Sequence, residues 1–315
     1  MRTSKLESIF AVILASTSIG ARGGCGPCPD QHEAFPILPP ANGDASSTID
    51  VPKDAGTLSR DACVSLCDAS DVISCTYEEP GGVPTMHCVR PSYCGAGRRT
   101  AGVRGPRRRA RSSDEIVGAW LAGAAHLEAT AVIAFERLER ELEAHRAPER
   151  LRARARTSAR EEVRHARMVG AMARRRGAQI ERPRVSGRQP VRTLAGVARE
   201  NAVEGCVREA YGALLATWQA RSARDARERD VFAQIARDET KHAALAWSVA
   251  AWADRRLSMG ERRRVRRAFD RAWQVLDTEL AAPPPRALVR EGFLPPAKLA
   301  RAWLAALARA FERGV

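Results

Sequence analysis

Ala-Arg-Glu-Glu-Val-Arg-His-Ala at 159–166 returns as Ala-Arg-Asp-Glu-Thr-Lys-His-Ala at 236–243. Each copy holds a Glu-x-x-His pair, Glu162/His165 and Glu239/His242. On an α-helix, positions i and i+3 share a face, so each pair aims a carboxylate and an imidazole at one point. A further glutamate precedes each pair at nearly the same distance: Glu128 lies 34 residues before Glu162, and Glu204 lies 35 before Glu239. Two such pairs with two lone glutamates form the ligand set of a two-metal site in a four-helix bundle.

Helix geometry supports this reading. A turn at Arg146-Ala147-Pro148, with Pro148 at a first helical position, brings Glu128 and Glu162 to similar heights. A second turn near Arg224-Asp225 does the same for Glu204 and Glu239. Four glutamates in a core cannot stay ionised without counter-charge, and two divalent cations would supply it. Glu128 is set among Ala124, Ala125, Ala131 and Val132, an apolar place for a carboxylate with nothing to bind. On the third helix two glutamates compete. Repeat spacing selects Glu204, whose neighbours Glu200, Asn201 and Arg208 are polar; burial pattern favours Glu209, flanked by Gly205, Cys206, Gly212 and Ala213. The spacing is given precedence, with Glu209 as the alternative. Glu161 and Asp238 read as solvent-facing acids, and Arg164 and Lys241 as their surface partners. Cys206 reads as a small buried residue, and His126 and His145 as structural.

These residues resemble the ferritin-like di-iron carboxylate superfamily, which includes rubrerythrin and bacterioferritin. The carriers are Glu128, Glu162-Val-Arg-His165, Glu204-Gly-Cys-Val-Arg-Glu209 and Glu239-Thr-Lys-His242, and the likeness covers roughly 114–256. The phrases Asn-Ala-Val-Glu-Gly-Cys-Val-Arg-Glu and Asp-Glu-Thr-Lys-His-Ala-Ala-Leu-Ala-Trp look like those of exported bacterial ferritin-like proteins with a Cys-rich leader. The resemblance implies two iron ions, with manganese or zinc as alternatives. It implies that Glu162 and Glu239 bridge them, that Glu128 and Glu204 cap one each, and that His165 and His242 complete the shells. The long N-terminal extension and extra C-terminal helices argue against a storage cage of the ferritin kind.

The expected fold is all-α: a ferritin-like bundle over 114–256 and a helical extension over 257–315, behind a small irregular disulfide-rich region. Helices are expected over 113–145, 148–176, 194–222, 226–255, 259–280 and 296–313, with a crossover at 177–192. Ser112-Ser113-Asp114-Glu115 and Ser258-Met-Gly-Glu261 read as capping boxes. No strand is expected after residue 97.

Seven of the eight cysteines fall between Cys25 and Cys94, which reads as a disulfide-stapled region over 25–96. Arg2 and Lys5 precede a short apolar run over 9–21, so 1–24 reads as a signal peptide. Setting Cys25 aside as a lipidated first residue leaves six cysteines for three bridges. The expected location is exported, periplasmic or cell-surface, with possible membrane attachment through Cys25.

Charge shifts along the chain. Residues 26–96 hold three basic and ten acidic side chains; 97–113 hold seven arginines and no acid, and read as a linker. The formal net charge of +15 raises nucleic acid as a partner, but only four of the 52 basic residues are lysine and few aromatics accompany the arginines. Nucleic acid is therefore not expected. The expected function is a di-iron protein reacting with O2 or peroxide and an unidentified reductant or substrate, with a homo-oligomer open to it. The alternatives are a non-catalytic metal-binding module and a cell-surface helical scaffold.

Overall fold

A computed structural model describes residues 3–16, 31–36, 56–57, 74–78, 85–90, 98, 103–104, 113–185 and 190–312. It is mostly helical. The helices are α1 (Thr3–Ser16), α2 (Ser113–Ala144), α3 (Glu149–Arg175), α4 (Leu194–Glu200), α5 (Ala210–Ser222), α6 (Ala226–Asp254), α7 (Met259–Ala281), α8 (Arg286–Arg290) and α9 (Ala297–Glu312). A π-helical segment, Asn201–Glu209, joins α4 to α5 without a break. The expected third helix over 194–222 is thus continuous but not α-helical throughout.

α2 carries Val117, Leu121, Ala125, Glu128, Ala131, Phe135, Leu138 and Leu142 on one buried stripe, at three- and four-residue steps. This stripe packs along α3, and α5 packs along α6 in the same manner. α3 and the π segment both rest on α6, which joins the two hairpins. The first hairpin turns at His145–Pro148, with Arg146 at φ 55° and Pro148 capping α3 one residue outside its expected position. The second turns at Ala223–Asp225, where the Asp225 carboxylate accepts the Arg227 and Glu228 amides at 2.7 and 3.2 Å.

The apolar core is split in two. One cluster gathers Leu121, Ala125, Val169, Met172, Leu214, Phe232 and Ile235 with residues of α1, α8 and α9. The other gathers Phe135, Leu138, Leu151, Ala155, Leu245, Val249 and Trp252. Glu128 on α2, and Glu162 and His165 on α3, lie between the residues of the two clusters, and on α6 Glu239 and His242 stand among residues of the first.

The C-terminal helices pack on this body. Trp247 of α6 meets Phe269 of α7 and Phe311 of α9 with ring centroids 5.9 and 4.9 Å apart. Trp303, Leu304, Leu307 and Phe311 are buried, as their spacing in the sequence predicts. The capping box opening α7 forms between Ser258 and Glu261; the one expected at Ser112 lies outside the described residues. α1 seats Leu6, Phe10, Ile13 and Leu14 in the first cluster and touches α6 and α9.

Two expectations about strands need correction. The front region expected to be irregular contains a four-stranded sheet in the order β1-β4-β3-β2, from β1 (Gln31–Pro36), β2 (Gly56–Thr57), β3 (Ser74–Glu78) and β4 (Thr85–Arg90). A two-residue pair, β5 (Val103–Arg104) with β6 (Arg184–Val185), also lies beyond residue 97. Strands of two to six residues are too short to leave a readable alternation. The β3–β4 register sets Cys75 opposite Cys88. The expected disulfides, and Cys25, lie outside the described side chains.

The crossover is tied to α2 by an ion cluster. Glu141, 1% exposed, accepts from Arg192 Nε at 2.7 Å and Nη2 at 2.6 Å, and from Arg137 at 3.3 Å. Arg192 also binds Glu200 of α4, and His145 Nε2 bonds to the Arg192 carbonyl at 2.8 Å. His126 Nδ1 likewise meets the Glu181 carbonyl at 2.8 Å, so both histidines serve structure. Burial pushes the Glu141 carboxyl up, but the Arg192 hydrogen bonds and charge outweigh it and hold the carboxyl below its ordinary value. Such a group stabilises the fold above its unfolded pKa of about 4.3, and the contribution is lost as pH falls through the folded value. Glu141→Gln is expected to cost about 3 kcal/mol at pH 7. Urea unfolding should show that gap between wild type and variant narrow as the pH drops toward 3.

Candidate metal centre

The polar layer between the two apolar clusters is built from helix periodicity. Glu162 and His165 leave α3 on one face, Glu239 and His242 leave α6 on one face, and the two faces meet. His165 Nδ1 stands 3.7 Å from Glu128 Oε2, 3.6 Å from Glu162 Oε2 and 3.5 Å from Glu239 Oε1. His242 Nδ1 stands 3.1 Å from Glu162 Oε1, 3.5 Å from Glu239 Oε1 and 4.0 Å from Glu209 Oε2. Glu162 thus turns one oxygen toward each imidazole, and Glu239 lies equally close to both. The imidazole centroids are 5.9 Å apart.

All six side chains are buried. Two overlapping donor groups result, Glu128–Glu162–His165–Glu239 and Glu209–Glu239–His242, each able to hold a metal ion. Among the described residues, Glu162 Oε2, both Glu209 oxygens, Glu239 Oε2 and both imidazole Nδ1 atoms have no hydrogen-bond partner. Buried polar atoms left unpaired cost on the order of 1–3 kcal/mol each. So many converging on one spot is the pattern of a cation site, and the oxygen and imidazole donors fit one.

Five of the six expected ligands come together here. Glu204 does not: it lies near Arg208, 3.8 Å away, and Arg208 in turn grips Glu279 of α7 at 2.6 Å. Glu209 occupies the place on the third helix. The hairpin turn explains why. Glu209 and Glu239 stand 14 residues on either side of the Ala223–Asp225 turn, so they are level. Glu204 is more than a helical turn farther along. Matching intervals between the two repeats misses this, because their turns differ in length and the third helix is π-wound. Gly205 lets that segment approach α6 closely: a Cβ there would stand 2.6 Å from the Ala246 Cβ. Asn201 Nδ2 fastens the contact by donating to the Ala246 carbonyl at 2.8 Å.

Glu161 and Asp238, expected to face solvent, are buried. Asp238 Oδ2 accepts from His165 Nε2 at 3.3 Å, and Glu161 Oε2 accepts from His242 Nε2 at 2.9 Å. Each repeat therefore supplies the acid that orients the other repeat's histidine. With Nε2 donating outward, Nδ1 presents its lone pair to the cluster. Arg164 and Lys241 hold Asp238 at 2.8 Å each, and Lys241 Nζ is 3.6 Å from Glu161 Oε1. Burial pushes Asp238 up, but His165, Lys241 and Arg164 together hold it well below its ordinary value. The acid one place before each ligand glutamate was itself a repeated feature, and so a legible signal. Cys206 is buried, and burial pushes its thiol up to about 12.

Burial and the Glu162 charge push Glu128 well up; burial and the Glu239 charge do the same to Glu209. For the imidazoles burial acts downward, but the surrounding carboxylates outweigh it and raise both. Beside Glu128 and Glu239 lies a cavity of about 30 Å³, walled by Trp120, Val169, Leu215, Phe232 and Ile235. A groove of about 630 Å³ reaches Glu161 from outside, past Arg154, Ser158, Lys241 and Ser248.

No family model matches the chain, and neither a curated protein nor a solved structure matches it.

A divalent cation takes these donors in their deprotonated forms, so its binding releases protons. Metal uptake is expected to acidify a weakly buffered solution, read with a pH indicator, and to weaken as the pH is lowered. Glu161→Gln and Asp238→Asn are expected to weaken metal binding about 10- to 100-fold while the helical circular dichroism is kept. Competition against a chromophoric chelator measures that loss.

Proposed function

We propose that this chain holds a pair of iron ions in a ferritin-like four-helix bundle and reacts there with O2 or peroxide. The observation that carries the reading is the set of orphaned carboxylate and imidazole atoms converging between two apolar half-cores. Glu128, Glu162, His165 and Glu239 would hold one ion, and Glu209, Glu239 and His242 the other, with the second Glu162 oxygen 3.1 Å from His242 and so available to both. Four carboxylates offset two divalent charges, and the neutral imidazoles complete the shells. Hard carboxylate oxygens with imidazole nitrogen suit iron in both common oxidation states, and manganese or zinc less selectively. When bound, two ferrous ions supply one electron each, enough to take O2 to hydrogen peroxide, or hydrogen peroxide to water, with two protons.

The chain's own residues define what reaches the site. The apolar cavity beside Glu128 and Glu239 has room for a diatomic molecule or one to two waters, which favours a small oxidant over an organic substrate. Trp120 and Phe232 line it with aromatic rings. Glu161 links the outer groove to His242 by one hydrogen bond, so a proton arriving from solvent can be held one residue from the cluster. The export reading is proposed alongside, supported by the crowding of seven cysteines before residue 97.

The test is metal content of the full-length chain loaded anaerobically with ferrous iron, beside Glu162→Ala/His165→Ala. About two irons per chain and a near-ultraviolet band on admitting oxygen, both lost in the variant, are expected. Stoichiometric metal with no oxygen response would replace this reading with a non-catalytic binding module. No metal in either protein would leave a helical scaffold.

A further inference from the structure

The outer groove that reaches Glu161 runs between α3 and α6, and all of its walls lie in described residues. Its volume of about 630 Å³ falls within the range of about 300–1,000 Å³ usual for small-molecule sites. Helix periodicity builds it. Arg154, Ser158 and Glu161 follow one another on α3 at steps of four and three; Lys241, Ala244 and Ser248 follow on α6 at steps of three and four. Each step returns to the same helix face, so two rows line one channel. The small side chains of Ala153, Ser158 and Ala244 leave the space between them open.

Arg154 is fixed across this channel. Its Nη1 donates to Ser248 Oγ at 3.2 Å, and its Nη2 donates to the Lys241 carbonyl at 3.1 Å. Both acceptors are neutral, and they engage two of the five N–H donors that a guanidinium carries. Burial holds its pKa below the ordinary value: part of its water is already gone, and an anion would take the place of that water. Lys241 Nζ stands 3.6 Å from Glu161 Oε1. The groove is thus lined by two cations and one carboxylate. A metal cation entering here would be repelled by Arg154 and Lys241, and a multiply charged anion by Glu161. A singly charged anion suits the balance. Thr157 and Ser158 add hydroxyls, which both donate and accept, and Glu161 can accept from a hydroxyl of the occupant.

We propose that the groove between α3 and α6 is a binding site for a small polyhydroxylated monocarboxylate, a sugar acid in chemical class. Arg154 takes the carboxylate with Lys241 beside it, and Thr157, Ser158 and Glu161 take the hydroxyls. The inference does not rest on the two-metal reading, because the donor atoms of the polar layer take no part in it. An occupant would lie one residue from that layer, since Glu161 Oε2 accepts from His242 Nε2 at 2.9 Å.

The experiment is calorimetric titration of the metal-free full-length chain with sodium gluconate, beside sorbitol as the neutral polyol and sodium acetate as the bare carboxylate. Gluconate should saturate at about one per chain, with sorbitol and acetate bound about tenfold more weakly or worse. Arg154→Gln should weaken gluconate about tenfold or more, and Arg154→Lys should recover part of the loss. Ala153→Trp fills the groove without removing a polar group, and should abolish binding while the helical circular dichroism is kept. Gluconate heats that do not saturate overturn the inference. Equal affinity for acetate also overturns it, by reducing the groove to a general anion patch, and so does equal gluconate affinity in Arg154→Gln and wild type. Should Arg154→Gln lose its helical signal, Ala153→Trp decides: unchanged gluconate binding there places the ligand elsewhere and overturns the site.

Discussion

Four carboxylates at mid-height in an apolar core constrain everything around them. Left ionised and unpaired, they would cost more than a domain's whole net stability. The fold meets that demand with a layer of its own. Apolar side chains withdraw above and below it, which is why the core falls into two clusters. The acids and imidazoles face one another across α2, α3, α6 and the π segment, where only protons or cations can balance them.

The layer is held by an exchange between the two hairpins. Asp238 of one motif orients His165 of the other, and Glu161 orients His242 in return. Neither half can place its own imidazole, so neither half makes a site alone. The outer acids are then fixed by Arg164 and Lys241, both on the motif helices. This reciprocity explains why the eight-residue phrase carries an acidic doublet and a basic residue in both copies. It also leaves Glu161 with two roles, orienting His242 and lining the outer groove.

The third helix works differently. Its π winding, the missing side chain at Gly205 and the Asn201 bond to α6 set Glu209 at the level of Glu239. π segments recur at functional sites, since a wider turn re-aims side chains that an α-helix would direct elsewhere. Arg98 packs beside this segment, its Nη1 3.2 Å from where a Cβ on Gly205 would stand. Helices α7 and α9 stay clear of the chemistry. They cover the outside through an aromatic cluster, and through Glu279 they draw Arg208 and Glu204 away from it.

The amino-acid sequence by itself determined the long helices after residue 112, though not α1, α8 or the π winding, and five of the six cluster residues. Those rest on local rules: apolar period, capping boxes, and the i, i+3 geometry of Glu162/His165 and Glu239/His242. Glu128 was legible because a glutamate among alanines and a valine has no surface to face. Only the tertiary structure decided between Glu204 and Glu209, because their level depends on turn length and π winding, which residue counting does not see. The repeated acidic doublet marked Glu161 and Asp238, but only the tertiary structure turned them inward, because it takes another helix to cover them. It alone buried Arg98, because the cover over a guanidinium comes from the packing of distant segments and leaves no mark nearby in the chain.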